Sequence, residues 1–346
     1  MRKLSCLILL AILLPVAVTG CQASKQAERD LLRVKSEKGA HAKKVVMLMV
    51  DSLMARAIDE GVRQGQLPAF QYLIGHGQYY RDLVSSFPTM SVTIDSSLLT
   101  GAYPDRHRVP GLTWFSSDDK SLINYGTGPM EVLKHGFHPV AVDALIRLNG
   151  NHLNPKLPTI FEELSRRGLK SGSVNGLIYR GTADHTLSIP LWLRGAASLP
   201  REIRVKGPDF FALGALSNPL EGVRKMPDGA ANQFGINNSY SIEAATYLIR
   251  AKKLPDFLYV YLPDLDRELH KKGPSERSGI RETDRQLYAL LQAFGTPEQA
   301  LKEAVVIVVG DSGMTQLLPA AQNPAIELPS LLKEYRVLRP GETVSK

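Results

Sequence analysis

Three apolar runs lead into acidic residues: 45–50 into Asp51, 257–262 into Asp264 and Asp266, and 305–309, after one glycine, into Asp311. Any single one of them reads as a helix cap, a turn former or a ligand. Three at the same edge of one sheet would repel one another and call for a cation. Asp266 and His270 stand four apart, so one helical turn puts them on one face. Carboxylate with imidazole suits zinc or manganese. A hydroxyl-rich stretch, Ser85-Ser86-Phe87-Pro88-Thr89-Met90-Ser91-Val92-Thr93, leads into a short helix that opens near Ser91 and closes at Gly101. A hydroxyl at a helix N-terminus suits a phosphate, or a nucleophile held as an alkoxide. The competing reading is that Ser91 or a neighbour simply caps the helix.

The elements that must position these groups are legible as alternation. Apolar runs at 45–50, 257–262 and 305–309, with a shorter strand at 170–175, are unbroken, as in strands covered on both faces. Between them lie helical patterns: one after Asp51 to about Gly65, one with a capping box at Thr159 and Glu162 and a stop at Gly168, and others over 240–252 and 279–303. This grammar predicts an α/β fold, a three-layer αβα sandwich with a mostly parallel central sheet. Ligands of such sheets bind at the carboxyl ends of the strands, where the acids fall. From 179 to 239 prolines and glycines loosen the pattern, which predicts an insertion or lid with one short helix near 209–216. No internal repeat or low-complexity segment interrupts the chain.

At 346 residues and 44% hydrophobic content the sequence has ample material for a core. Arg2 and Lys3 precede an apolar run too short for a comfortable membrane span, ending in Val18-Thr19-Gly20-Cys21. This is similar to a bacterial lipoprotein signal: residues 1–20 would be removed, Cys21 lipidated, and 21–43, rich in Lys, Glu, Gln and Ala, would form the tether. The expected location is the extracytoplasmic face of the cell membrane. Cys6 is the other cysteine, so the mature chain would hold no internal disulfide. The net charge of +8 is scattered, without a basic run interleaved with aromatics, and gives no case for nucleic acid.

With these pieces placed, the chain from 44 to about 338 resembles the alkaline phosphatase superfamily, in the branch of bacterial alkaline-phosphatase-like proteins and type I phosphodiesterases/nucleotide pyrophosphatases. Met49-Val50-Asp51, Phe87-Pro88-Thr89-Met90-Ser91 with Leu99-Thr100-Gly101 and His107, Pro263-Asp264-Leu265-Asp266 with His270 and Gly273-Pro274, and Gly310-Asp311-Ser312-Gly313-Met314 carry the resemblance. It implies a metal-dependent hydrolase of phosphate monoesters or diesters. Ser91 would be the nucleophile, forming a covalent phospho-enzyme that water later cleaves. Two divalent ions, zinc or manganese/magnesium, would be held by Asp51, Ser91 and Asp311 and by Asp266 and His270. Four departures stand out. Ser312 replaces a ligand histidine, which shifts that site towards magnesium or manganese. No histidine follows His270, the chain ends at Lys346 where relatives continue, and no amide stands near 112–114 where a phosphate-binding asparagine is expected. The alternative reading is therefore a catalytically degenerate lipoprotein that binds phosphate or glycan-phosphate, and a further one is a truncated enzyme with 339–346 as its tail. His107 is expected to be structural, His185 to sit in a loop, Arg180 and Arg267 to be solvated, and Trp114 and Trp192 to pack or line a pocket. Nothing in the sequence specifies an oligomeric state.

Overall fold

The computed structural model describes residues 43–126, 129–322 and 324–337. The expected signal peptide, Cys21, nearly all of the tether and the tail at 339–346 lie outside the described residues. No helix among the described residues is long and apolar enough to cross a membrane.

The predicted central sheet is present, with five strands. In chain order the strands of the described residues are β1 (Lys44–Val50), then two hairpin strands outside that sheet, β2 (Thr113–Ser116) and β3 (Ser121–Asn124), then β4 (Ser171–Val174). A second hairpin follows, β5 (Ala183–Ser188) with β6 (Glu202–Gly207), and then β7 (Phe210–Ala212), β8 (Phe257–Leu262) and β9 (Ala304–Gly310). The sheet order is β7-β4-β8-β1-β9, and every neighbouring pair is parallel.

Alternation along the central strands divides the core into two layers. Val46, Leu48 and Val50 of β1 and Leu258, Val260 and Leu262 of β8 pack on one side, with helices Ala55–Arg63, Pro68–His76, Asn238–Arg250 and Ser278–Gln292. Met49, Phe257, Tyr259 and Tyr261 point the other way, against Val92 and Leu99 of helix Ser91–Thr100 and Phe161 of helix Ile160–Arg166. Each fully buried Val, Leu or Met stabilises the fold by about 1.5–3 kcal/mol. A one-residue slip of β1 would exchange its faces and drag Asp51 into the core, so this packing also fixes where the strand ends.

The capping box predicted at Thr159 is formed: its Oγ1 accepts from the Glu162 N–H at 3.2 Å while the Glu162 carboxylate accepts from the Thr159 N–H at 2.8 Å. The short helix expected near 209–216 is absent. Phe210, Phe211 and Ala212 are all buried and form β7, which pairs with β4 at the sheet edge. Three residues that fill two faces leave no helical period to read, and Gly214, at φ +48°, turns the chain immediately afterwards. The stretch expected as an insertion thus supplies one strand of the main sheet, besides the β5–β6 hairpin.

Candidate active site

Parallel pairing brings the acids together. Val50 of β1 is in register with Leu262 of β8 and with Gly310 of β9, so Asp51 and Asp311 emerge side by side at one level of the sheet. Asp266 lies in the first turn of helix Asp264–Lys272, which starts just beyond β8. Asp51 and Asp311 are almost fully buried and Asp266 partly so.

Ser91 does not cap its helix. The N-cap is Met90, with no side-chain cap, and Gly101 closes the far end at φ 64° as predicted. Ser91 occupies the first helical position, and its hydroxyl donates to Asp51 Oδ1 at 3.2 Å. The opening N–H groups of a helix lack intrahelical partners and carry its positive end. A hydroxyl there, oriented by a carboxylate, is placed for attack on an anionic centre.

Several partners of the site were not anticipated in sequence. Tyr261 Oη donates to Asp51 Oδ2, and Tyr259 Oη donates to Asp95 Oδ1 at 3.1 Å. Asp95 is four residues beyond Ser91, and the two tyrosines are two apart on β8, so helical and strand periods were the available signals. Ser52 N–H donates to Asp311 Oδ1 at 2.9 Å, and Ser52 Oγ to Asp266 Oδ1 at 2.7 Å. The Ser85 hydroxyl donates to the Asp311 carbonyl, tying the segment before Ser91 to the end of β9.

The electrostatics are those of crowded anions. Burial, and then the neighbouring carboxylates of Asp311 and Asp266, push Asp51 up to about 8. Burial and Asp311 hold Asp95 well above the usual carboxylate range. The hydrogen-bond partners of Asp51 and Asp311 are hydroxyls and backbone N–H groups, not Lys or Arg. Asp311 Oδ2 is buried with no hydrogen-bond partner.

An unspent carboxylate oxygen beside a second buried carboxylate fits a hard divalent cation in donor chemistry. Asp266 and His270 share one helix face as expected, with Nε2 3.4 Å from Oδ1, and the imidazole is exposed. Among the described residues no group of three or more His, Cys, Asp or Glu side chains is disposed to hold a metal ion. Ser312, at the position where the resemblance expects an imidazole, turns its hydroxyl back to Asp311 Oδ1 at 3.3 Å.

The remaining candidates separate clearly. His107 is buried, accepting from Val109 N–H at Nδ1 and meeting Ser97 Oγ at Nε2, both at 3.1 Å, a structural role as expected. His185 Nε2 meets the Pro208 carbonyl at 2.6 Å, so it is held within its hairpin region. Arg180 is not solvated: it donates to the Leu153 carbonyl at 2.8 Å, to those of Asn154 and Leu157, and to Glu162. Arg267 likewise is held by Asp264 at 3.1 Å and by the Ile236 carbonyl. Trp114 donates to Tyr125 Oη at 3.3 Å, whereas Trp192 is about half exposed and stacks on Phe234. Asn124 lies opposite Thr113 across the β2–β3 hairpin, but it is buried and its Oδ1 accepts from Gly126 N–H. A cavity of about 550 Å³ lined by Asn238, Asp264, Arg267, Lys271 and Glu282 runs along helix Asp264–Lys272 and is lined by none of Asp51, Ser91, Asp266 or Asp311.

Comparison with known proteins bears on the fold and the family. Murine ectonucleotide pyrophosphatase/phosphodiesterase 5, solved as an inactive variant in complex with AMP, is 15% identical, with a TM-score of 0.52 over 80% of this chain and 59% of that one. The human protein gives 16% identity and a TM-score of 0.51 over 80% and 58%. Phosphonoacetate hydrolase from Sinorhizobium meliloti 1021, in complex with phosphonoformate, gives 18% and 0.54 over 87% and 65%. These likenesses establish the fold, and the chain spans about three-fifths of the length of the first two. No curated protein matches the sequence. The description type I phosphodiesterase / nucleotide pyrophosphatase fits residues 45–345, and the chain therefore belongs to that typically metal-dependent family of phosphoric ester hydrolases, within the alkaline phosphatase superfamily.

Proposed function

We propose that this chain is a metal-dependent phosphatase or phosphodiesterase that works through a covalent phospho-Ser91 intermediate. The observation that carries the reading is the Ser91 hydroxyl, 3.2 Å from Asp51 at an uncapped helix start, beside Asp311 with its unspent oxygen. Asp51 Oδ1 orients the hydroxyl and takes its proton as Ser91 Oγ bonds to phosphorus and the bond to the leaving alcohol breaks. Asp51 passes that proton to the departing alkoxide, which leaves as the alcohol. Water then attacks the phospho-serine and gives a proton to Asp51, the bond between phosphorus and Ser91 Oγ breaks, Asp51 returns the proton to Ser91, and the phosphate product departs with the water's hydroxyl. The start of helix Ser91–Thr100 favours the anionic phosphorus centre throughout. Asp51 and Asp311 would hold one divalent cation, and Asp266 with His270 a second, supplying charge neutralisation at phosphorus. Ser312 in place of an imidazole leaves the first set oxygen-rich, which favours magnesium or manganese over zinc. AMP in a solved neighbour supports a phosphate-ester substrate. Val18-Thr19-Gly20-Cys21 supports a lipid anchor on Cys21 and an extracytoplasmic location.

The alternative is a non-catalytic lipoprotein that binds phosphate or glycan-phosphate, favoured by the absence of a three-ligand metal group among the described residues. Hydrolysis of p-nitrophenyl phosphate and bis-p-nitrophenyl phosphate by the full chain in detergent decides between them. It is run without metal and with zinc, manganese or magnesium, alongside Ser91→Ala. Metal-dependent turnover that falls at least about a thousandfold in Ser91→Ala is expected. No turnover by the folded protein with any of the metals leaves the binding reading standing.

A further inference from the structure

Ser52 sits at a position that favours a different residue. Val50 to Leu53 form a turn closed by the Leu53 N–H to the Val50 carbonyl at 3.3 Å, and its third residue, Ser52, has φ 60°. A positive φ at the third position is the mark of type II turns, where glycine or asparagine is favoured because a Cβ is strained. Strain of this kind persists where the surroundings impose it, and it clusters at functional sites.

The hydroxyl on that strained residue is committed. Ser52 is buried, its N–H holds Asp311 Oδ1 at 2.9 Å, and its Oγ–H holds Asp266 Oδ1 at 2.7 Å. Asp311 follows β9 on one side of β1 and Asp266 follows β8 on the other, so Ser52 links the ends of three adjacent strands. Glycine would keep the N–H bond without strain and lose the second. The backbone of this turn therefore accounts for half of the clasp, and only the hydroxyl accounts for the rest.

We infer that Ser52 is a positioning residue that clasps Asp266 to Asp311 and so sets the spacing of the two carboxylates for divalent cations. The inference rests on the metal-dependent reading above. With Oδ1 of each acid held by Ser52, Asp311 Oδ2 is left unspent, and repulsion between two carboxylates is countered by two donors from one residue. Partners of metal ligands typically change affinity or activity by about 10–100-fold when lost.

The test compares the full chain with Ser52→Gly and Ser52→Ala, measuring Mn²⁺ binding calorimetrically and melting temperature without metal. Both variants lack the hydroxyl, but only Ser52→Ala keeps the strained Cβ. Both are expected to bind Mn²⁺ about 10–100-fold more weakly than the wild type, while Ser52→Gly melts higher than Ser52→Ala. A merely structural role would make affinity follow the melting temperature instead. Wild-type affinity in Ser52→Gly, or an affinity loss confined to Ser52→Ala, overturns the inference and leaves the hydrolase reading intact. A wild type that binds no Mn²⁺ overturns the inference, while the hydrolase reading is decided by the ester assay with zinc and magnesium.

Discussion

Asp284 and Asp311 are equally buried, each 1% exposed, and they do opposite things. Asp284, in helix Ser278–Gln292, accepts from the Phe70 N–H at 2.9 Å and the Ala69 N–H at 3.2 Å, using both oxygens to hold the start of helix Pro68–His76. Burial raises its pKa, and those two N–H donors pull it back. Asp311 spends one oxygen on Ser52 and Ser312, keeps the other without a partner, and faces the like charges of Asp51 and Asp95. Burial alone does not distinguish a structural acid from a working one. Unspent lone pairs among like charges do.

The sharpest way to break this contrast is to neutralise each acid. Asp311→Asn is expected to cut metal-dependent hydrolysis at least about a hundredfold while leaving the metal-free protein no less stable, since it removes a crowded charge. Equal activity of mutant and wild type in a p-nitrophenyl ester assay would dissolve the distinction. Asp284→Ala should do the reverse, lowering stability in urea denaturation by about 2 kcal/mol with turnover per folded molecule unchanged. Loss of turnover there would make Asp284 part of the machinery.

A smaller effect sharpens the same point for a buried histidine. Burial lowers His107 from 6.5 to about 4, so between these values the unfolded chain binds the proton that the folded chain refuses. Stability from this group is full above pH 6.5 and is lost as pH falls towards 4. His107→Gln should flatten that part of the pH profile of the denaturation midpoint. A profile that keeps its slope would assign it to other groups.

The strands of the sheet centre were legible because they are long enough to show an unbroken apolar run, and their ends located Asp51, Asp266 and Asp311. The helix stop at Gly101 and the box at Thr159 and Glu162 were legible because caps are local. β7 was not, because three residues carry no period and its partner β4 is 36 or more positions away in sequence. Nor was Ser52: its meaning lies in acids more than two hundred residues further along the chain. Arg180 misled in the same way, since its partners besides Glu162 are backbone carbonyls, which no side-chain pattern announces.

β9 carries a consequence of a different kind. Among the described residues it pairs only with β1, and its sequence, AVVIVVG, has no charge and no proline, with Val305 45% and Ile307 39% exposed. Such an edge is a template on which another extended chain can crystallise its hydrogen bonds. Colloidal behaviour is then governed separately from folding: a lysine in place of Val305 or Ile307 on that strand is expected to raise the concentration the native protein tolerates without raising its melting temperature.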